Sequence, residues 1–131
     1  MTTYNEPRRS LEFLSWELHH QLTREEGTLA ASQGDLLPGT VLAKLTSGGN
    51  YVVYDNTSVV AGANAAYGVL AYAAPNSTGT QKVTIIERLA VLDAPLLTWG
   101  ANDDTGIAAG KADLLAKNIK IIGTDPPGAG S

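Results

Sequence analysis

The sequence contains no cysteine, and it is poor in bulky side chains. The missing cysteine excludes disulfides, thiolate zinc sites and cysteine nucleophiles, so stability must come from packing or from association with other chains. One Phe, one Met, two Trp and five Tyr accompany an apolar content of 44%. We therefore expect a thin core rich in Leu, Val and Ile. At 131 residues the chain has the length of one domain.

Basic residues are also few, and long apolar runs are missing near the start. Nine Lys and Arg against thirteen Asp and Glu give a formal net charge of −4. This balance argues against nucleic acid or an anionic membrane as the main partner. Charged residues interrupt the apolar runs of residues 1–22, so we expect neither a secretory signal nor a membrane span there. The protein should therefore function in the compartment where it is made.

Composition divides the chain near Pro38. Residues 1–35 are charged and lack a rhythm of turns and strands, whereas glycine and proline punctuate short aliphatic runs from Leu36 onward. We predict an N-terminal arm (1–35), a compact β domain (36–123) and a flexible tail (124–131). Apolar spacing in the arm fits a helix and a strand equally well. Because Phe13 and Trp16 are poorly suited to water, either contact with another molecule orders the arm, or a short helix packs on its own domain.

The compact domain reads as short strands followed by one helix. Residues 39–55, GTVLAKLTSGGNYVVYD, predict a β-hairpin whose turn uses Gly48 and Gly49 at positive φ. Further strands are expected at 67–74 and, with a bend, at 82–93. Asp103 to Thr105 should cap a short C-terminal helix, and 118–122 should form a closing strand. The predicted fold class is mostly β (α+β), a sandwich or a partly open barrel.

Nothing in the sequence assembles into a catalytic or metal-binding motif. His19 and His20 are adjacent, so their side chains diverge and do not readily chelate one metal together. The glycine-rich TSGGN lacks the Lys-Ser/Thr of a phosphate loop, and the serines lie in turns without a nucleophile-elbow pattern. The acidic pairs at 25–26 and 103–104 are explained by a solvated face and by helix capping. We therefore predict no enzyme activity, no metal and no cofactor.

The remaining signal is an ordered set of apolar and glycine positions. The runs LPGTVLAKLTSGGNYVVYD, AAYGVLAYAA and VTIIERLAVLDAPLLTW resemble the head decoration protein family of tailed bacteriophages in order and spacing. The resemblance extends over about residues 27–122. The positions that match the family pattern, which we expect to form the framework of the domain, are Pro38, Gly39, Thr40, Val41, Leu42, Tyr51, Tyr54, Asp55, Gly68, Val69, Leu70, Arg88, Leu97 and Trp99.

This resemblance implies a structural role. Such a protein would have a β-clip-like domain, form homotrimers and bind the major capsid protein on the outer surface of the expanded head, with no nucleic acid or membrane partner. It would be made in the cytoplasm of the bacterial host and end in the virion. The segment at 22–30 occupies the place of the family segment that becomes ordered on the capsid. The expected capsid-contact residues are Phe13, Leu14, Trp16, Leu18, Leu22, Arg24, Glu25, Thr28 and Leu29.

Two other classes of function are kept as alternatives. The first is a small β-barrel that binds a ligand or serves as an adaptor for another protein. The second is a nucleotide-hydrolysing β-clip enzyme. That enzyme would need converging carboxylates and a phosphate-binding glycine motif, and the sequence shows neither pattern.

Overall fold

A computed structural model of the chain describes residues 13–17, 23–100 and 102–123. The predicted tail and two expected capsid-contact residues, Leu18 and Leu22, lie outside the described residues, as do His19 and His20. The elements in chain order are β1 (Leu14–Glu17), β2 (Arg24–Leu29), β3 (Val41–Lys44), β4 (Tyr51–Val53), β5 (Ala66–Leu70), β6 (Gln81–Ile86), β7 (Ala90–Asp93), a 3-10 turn (Ala94–Leu96), α1 (Asp104–Leu115) and β8 (Ile119–Ile122). The mostly β fold with one short helix is confirmed.

Five of these strands form a closed barrel in the order β2-β4-β3-β5-β6. A partly open barrel was expected, and the difference is due to β2, which comes from the segment assigned to the arm. This strand pairs antiparallel with β6 along its whole length, from Arg24 opposite Ile86 to Leu29 opposite Gln81. It also pairs parallel with β4, with Leu29 opposite Tyr51. β2 therefore lies between β6 and β4 and closes the barrel.

The remaining strands form a second sheet in the order β1-β7-β8. β1 pairs antiparallel with β7, and β8 pairs parallel with β7. The helix α1 connects the two sheets in space, because it contacts both β5 of the barrel and β8 of the second sheet.

Strand alternation divides the apolar side chains between two cores. Every strand of the barrel contributes a buried side chain to its interior: Leu29, Leu42, Tyr51, Leu70 and Ile85. Neighbouring residues on the same strands point outward into a larger core against α1 and the second sheet. That larger core includes Val41, Ala43, Tyr54, Val69, Ile86, Leu92, Ile107, Leu114 and Ile119, together with Phe13 and Trp99.

The local predictions for the hairpin and the helix are confirmed. β3 and β4 pair antiparallel, and Gly48 and Gly49 have φ angles of 83° and 73° in the turn between them. The Asp103 side chain accepts a hydrogen bond from the Gly106 amide at 2.9 Å, which caps the start of α1. β5 ends at Leu70, before the predicted limit of 74, and the side chains of Tyr72 and Ala73 beyond it are exposed.

Candidate functional site

The first strand, β1, is an edge strand with an exposed aromatic side chain. Among the described residues β1 pairs with β7 alone. Its register shifts between Leu14 and Trp16, so Ser15 forms a bulge and both Ser15 and Trp16 are exposed. Trp16 has 54% of its surface exposed, a large fraction for an indole side chain. An edge strand with a tryptophan beside it can bind another chain both by strand pairing and by apolar contact.

Two expected contact residues lie in the cores instead of at the surface. Phe13 is fully buried and packs beside Gly39, while its carbonyl oxygen accepts a hydrogen bond from the Asp93 amide at 2.8 Å. Leu29 is fully buried in the barrel interior. Both residues hold the N-terminal strands on the domain.

The side chain of Glu17 links the end of β1 to the start of β2. Its carboxylate accepts hydrogen bonds from Thr23 Oγ1 at 2.6 Å and from Arg24 Nε at 3.1 Å and Nη2 at 2.5 Å. The side chains of Glu17 and Arg24 are both mostly buried, and the hydrogen bonding of Arg24 to the Glu17 carboxylate raises the pKa of Arg24. Arg24 also donates to the Tyr72 hydroxyl at 3.3 Å. This clasp joins the second sheet to the barrel.

The outer side of β2 forms one wall of an open polar cleft of about 450 Å³. Glu25 and Thr28, both expected contact residues, lie on this wall. Arg88 donates to Glu25 at 3.1 Å and to the buried Glu87 at 3.1 Å. Strand β2 therefore displays a polar surface on which the Glu25 carboxylate is paired with Arg88.

A buried hydrogen bond lies at the base of this cleft. The Tyr51 hydroxyl donates to the Glu87 carboxylate, and burial, followed by this hydrogen bond, raises the pKa of Tyr51. Beside it, the Lys117 ammonium lies 3.2 Å from the centroid of the Tyr67 ring and donates to the Tyr67 carbonyl at 2.9 Å. Burial lowers the pKa of Lys117. The cleft thus joins elements distant in sequence.

The family-pattern residues occupy structural positions. Pro38, Thr40, Val41 and Leu42 are buried in or next to β3, and Val69, Leu70 and Leu97 are likewise buried. Gly39 has a φ of 93°, and a Cβ there would approach the Leu96 carbonyl at 2.5 Å. At Gly68 a Cβ would meet Ile85 Cγ2 at 2.5 Å.

The aromatic and acidic members of the pattern support the loops. The Tyr54 hydroxyl donates to the Gly106 carbonyl at 2.7 Å, and the Trp99 ring stacks edge-on against Tyr54 in the core. Asp55 accepts from the Thr57 amide at 3.0 Å and from its hydroxyl at 2.8 Å, which shapes the turn after β4.

The sequence analysis did not identify three polar residues of the clasp and the cleft: Glu17, Thr23 and Glu87. Their partners are brought to them only by the closed barrel and the second sheet, and the chain offers no spacing rule that pairs them. The Glu-Arg doublet at 87–88 within an apolar run was the one available signal for a buried carboxylate with a partner.

The described part of the chain holds no group of three or more His, Asp or Glu side chains arranged for a metal ion. Within the same residues no helix is long and apolar enough to cross a membrane.

A comparison with family models decides which class of protein this is. The family described as bacteriophage lambda head decoration protein D matches residues 3–119. The chain belongs to this family. No curated protein sequence matches it. The decoration protein is accordingly a structural component of the bacteriophage virion that associates with the capsid, and the expected family is confirmed.

Proposed function

We propose that the protein is a cement protein, which binds the outer surface of the expanded head as a homotrimer and stabilises the shell. The observation that carries this proposal is the edge strand β1, which pairs with β7 alone in the described part of the chain and has the exposed Trp16 beside it. An edge strand presents backbone groups that a strand of the major capsid protein can pair with. Tryptophan is among the side chains that contribute most to interfaces when they become buried.

The capsid contact in this proposal extends from β1 onto β2. It uses Leu14, Trp16, Arg24, Glu25 and Thr28, which are half-buried or exposed. Leu18 and Leu22 belong to the same proposed contact by their place in the sequence between the two strands. Phe13 and Leu29 support the contact from within the cores, since their burial fixes the position of the strands.

The homotrimer increases the effect of each contact. A trimer at a three-fold position of the shell presents three copies of β1 to neighbouring capsid subunits. Once one copy is bound, the others bind at high effective concentration, so weak individual contacts sum to a strong one. Such a protein needs a rigid domain and a binding edge. The two packed cores make the domain rigid, and the clasp at Glu17 holds the edge strand β1 on it.

The ligand-binding alternative gains no support from the barrel. Its interior is filled by side chains from every strand, with Leu42, Leu70 and Ile85 fully buried. A barrel of this kind has a packed core where a ligand-binding barrel has a cavity.

The proposal is tested by binding purified protein to heads that lack it. Wild-type protein should sediment with expanded heads, leave unexpanded heads bare, and give density at three-fold positions in images. Trp16→Ala should weaken binding by about 30-fold, as for loss of about 2 kcal/mol at an interface hot spot. Leu37→Ala removes another large exposed apolar side chain and is the matched control.

The outcomes separate the parts of the proposal. Equal binding by Trp16→Ala and wild-type protein would refute the contact through β1. Wild-type protein that fails to bind expanded heads would refute the cement role itself.

A further inference from the structure

A second apolar surface lies at the tip of the loop between β4 and β5. Val59 is 99% exposed and its neighbour Val60 is 54% exposed. Single exposed apolar residues are common on protein surfaces, but two adjacent valines at the tip of one loop form a convex apolar knob. We call these two residues the valine knob.

The loop that carries the valine knob is firmly held. The Asp55 amide donates to the Ala63 carbonyl at 3.0 Å, which closes the loop at its base, and the Thr46 amide donates to the Ala61 carbonyl at 3.1 Å. Gly62 has a φ of 93° and lies so close to the β3–β4 turn that a Cβ would approach the Thr46 amide nitrogen at 2.7 Å. The fold therefore presents the valine knob in a fixed position.

A concave apolar surface lies between the last turns of α1 and the strand β8. This groove has a volume of about 300 Å³ and is lined by Leu115, Ile119 and Ile121, with Lys111 and Lys120 completing the lining. Leu115 is 62% exposed. An exposed groove of this size lined by aliphatic side chains is suited to a small apolar protrusion.

The charges around the two surfaces are opposite. The loop at 55–65 contains Asp55 and neither Lys nor Arg. Its Asn56 amide donates to Asn102 Oδ1 at 2.8 Å, which places the loop next to the exposed Asp103 and Asp104 at the start of α1. The groove, by contrast, carries two lysines. The loop of the valine knob thus carries an acidic side chain and no basic one, whereas the apolar groove carries two basic ones.

The two surfaces are also separated along the helix. The base of the loop that carries the valine knob adjoins the start of α1 through Asn56, and the groove begins at Lys111 in the C-terminal half of the helix. A helix of 12 residues is about 18 Å long. The surfaces share no residue, so a single copy can use both at once with two neighbours.

We propose that the valine knob of one copy packs into the groove of the next copy. The two surfaces differ, so the contact is head-to-tail, and repetition around a rotation axis closes a ring. A second copy is the favoured occupant because the same chain carries both halves, with complementary shape and charge. A ring of three provides the contact of the proposed homotrimer, so this inference rests on the proposed function.

The absence of cysteine from the chain makes a clean crosslinking test possible. A Val59→Cys, Leu115→Cys variant is treated with a short bis-maleimide, both in solution and bound to expanded heads. The contact predicts covalent dimers and trimers, with no larger species. A Val59→Cys, Thr78→Cys variant is the matched control, because Thr78 is exposed in a loop outside the groove, and it should remain monomeric after treatment.

A charge pair tests the same contact without crosslinking. Val59→Lys places a cation against the basic groove, whereas Val59→Asp places an anion there. Both lose apolar contact, but the lysine variant should raise the dissociation constant of the oligomer about tenfold more than the aspartate variant. Sedimentation across a range of concentrations measures this difference.

The outcomes distinguish this inference from the function on which it rests. Protein that is trimeric on heads, but whose Val59→Cys, Leu115→Cys variant gives no crosslinked species, overturns the contact and leaves the cement role intact. Crosslinks from Val59→Cys to the capsid protein also overturn it, because the valine knob then faces the shell. Protein that does not bind heads refutes the proposed function, and covalent trimers in solution would still support the contact.

Discussion

Strands β1 and β2 come from the same charged N-terminal segment, yet the fold uses them in opposite ways. β2 has neighbours on both sides, β6 and β4, and contributes Leu29 to the barrel interior. β1 pairs with β7 alone among the described residues and exposes Trp16. Within one segment, β2 therefore completes the domain, while β1 provides an edge that is suited to binding.

The difference matters for how the N-terminal segment can be tested. A truncation of residues 1–30 would remove β1 and β2 together. Because β2 closes the barrel, the shortened chain would lose packing around Leu29 as well as the exposed edge. Single substitutions on each strand separate the two effects.

The largest expected contrast comes from removing one leucine from each strand. Leu29→Ala leaves a cavity in the barrel interior and should lower the free energy of unfolding by about 2–5 kcal/mol. Leu14→Ala, at a half-buried site on β1, should cost about 1 kcal/mol or less. Urea denaturation of both variants measures the difference. Similar losses would show that β1 contributes to the fold as much as β2 does.

A glycine on β2 gives the next contrast. A Cβ at Gly27 would lie 2.7 Å from Tyr51 Cδ1 and 2.9 Å from Ile85 Cδ1, so Gly27→Val overpacks the barrel and should cost about 1–3 kcal/mol. Ser15→Val, at the exposed bulge of β1, should change stability by less than about 0.5 kcal/mol. Thermal melting compares the two, and a Gly27→Val variant as stable as wild type would contradict the close packing.

The sequence pattern was sufficient for the elements whose signals are local. The β3–β4 hairpin follows from alternation and from Gly48 and Gly49, and α1 follows from the cap at Asp103, because turn and cap chemistry depend on neighbouring residues. Several of the expected framework positions are buried or closely packed, among them Gly39, Val41 and Leu42, because glycine and apolar residues at close contacts leave a pattern in the sequence.

Strands β1 and β2 leave a much weaker pattern. The bulge at Ser15 breaks the two-residue alternation of β1, so neither a helix nor a strand was favoured. β2 reads REEGTL, in which Leu29 is the only large apolar residue, and the space beside Gly27 is filled by Tyr51 from another strand. Long-range contacts such as these, and the clasp between Glu17 and Arg24, depend on topology that periodicity does not encode.

The clasp itself provides a prediction that couples the two strands. Glu17→Gln keeps the shape of the side chain but removes its charge, and should lower stability by about 1–2 kcal/mol because the bonds to Arg24 are charge-assisted and partly buried. A double-mutant cycle with Arg24→Gln isolates this coupling. The control is Glu25→Gln, whose exposed pair with Arg88 should contribute about 0.5 kcal/mol or less.

A coupling near zero for the clasp would mean that the Glu17–Arg24 pair adds nothing to the other contacts of β1, such as its pairing with β7 and the burial of Phe13. In that case the Glu17→Gln variant should also bind heads as wild type does. A measurable coupling, with weakened head binding at unchanged trimer formation, would show that the barrel orients the edge strand.

Alkaline pH should lower the stability of the barrel that β2 closes. Burial and the hydrogen bond to Glu87 raise the pKa of Tyr51 above its ordinary value of 10.0. In the unfolded chain Tyr51 releases its proton near that value, whereas the folded protein retains it. The unfolded state then binds fewer protons, so stability is fully present below about pH 10 and falls as the pH rises further. One such group contributes at most about 1.4 kcal/mol per pH unit.

Tyr51→Phe should lower the alkaline slope of stability against pH without abolishing it, because burial also raises the pKa of Tyr54. Urea denaturation of wild-type protein and Tyr51→Phe at a series of pH values above 10 measures the two slopes. The Tyr51 ring packs against β2 where that strand closes the barrel. An unchanged slope in Tyr51→Phe would show that the loss of stability at alkaline pH does not come from the closure of the barrel by β2, which would contradict the difference drawn between β1 and β2.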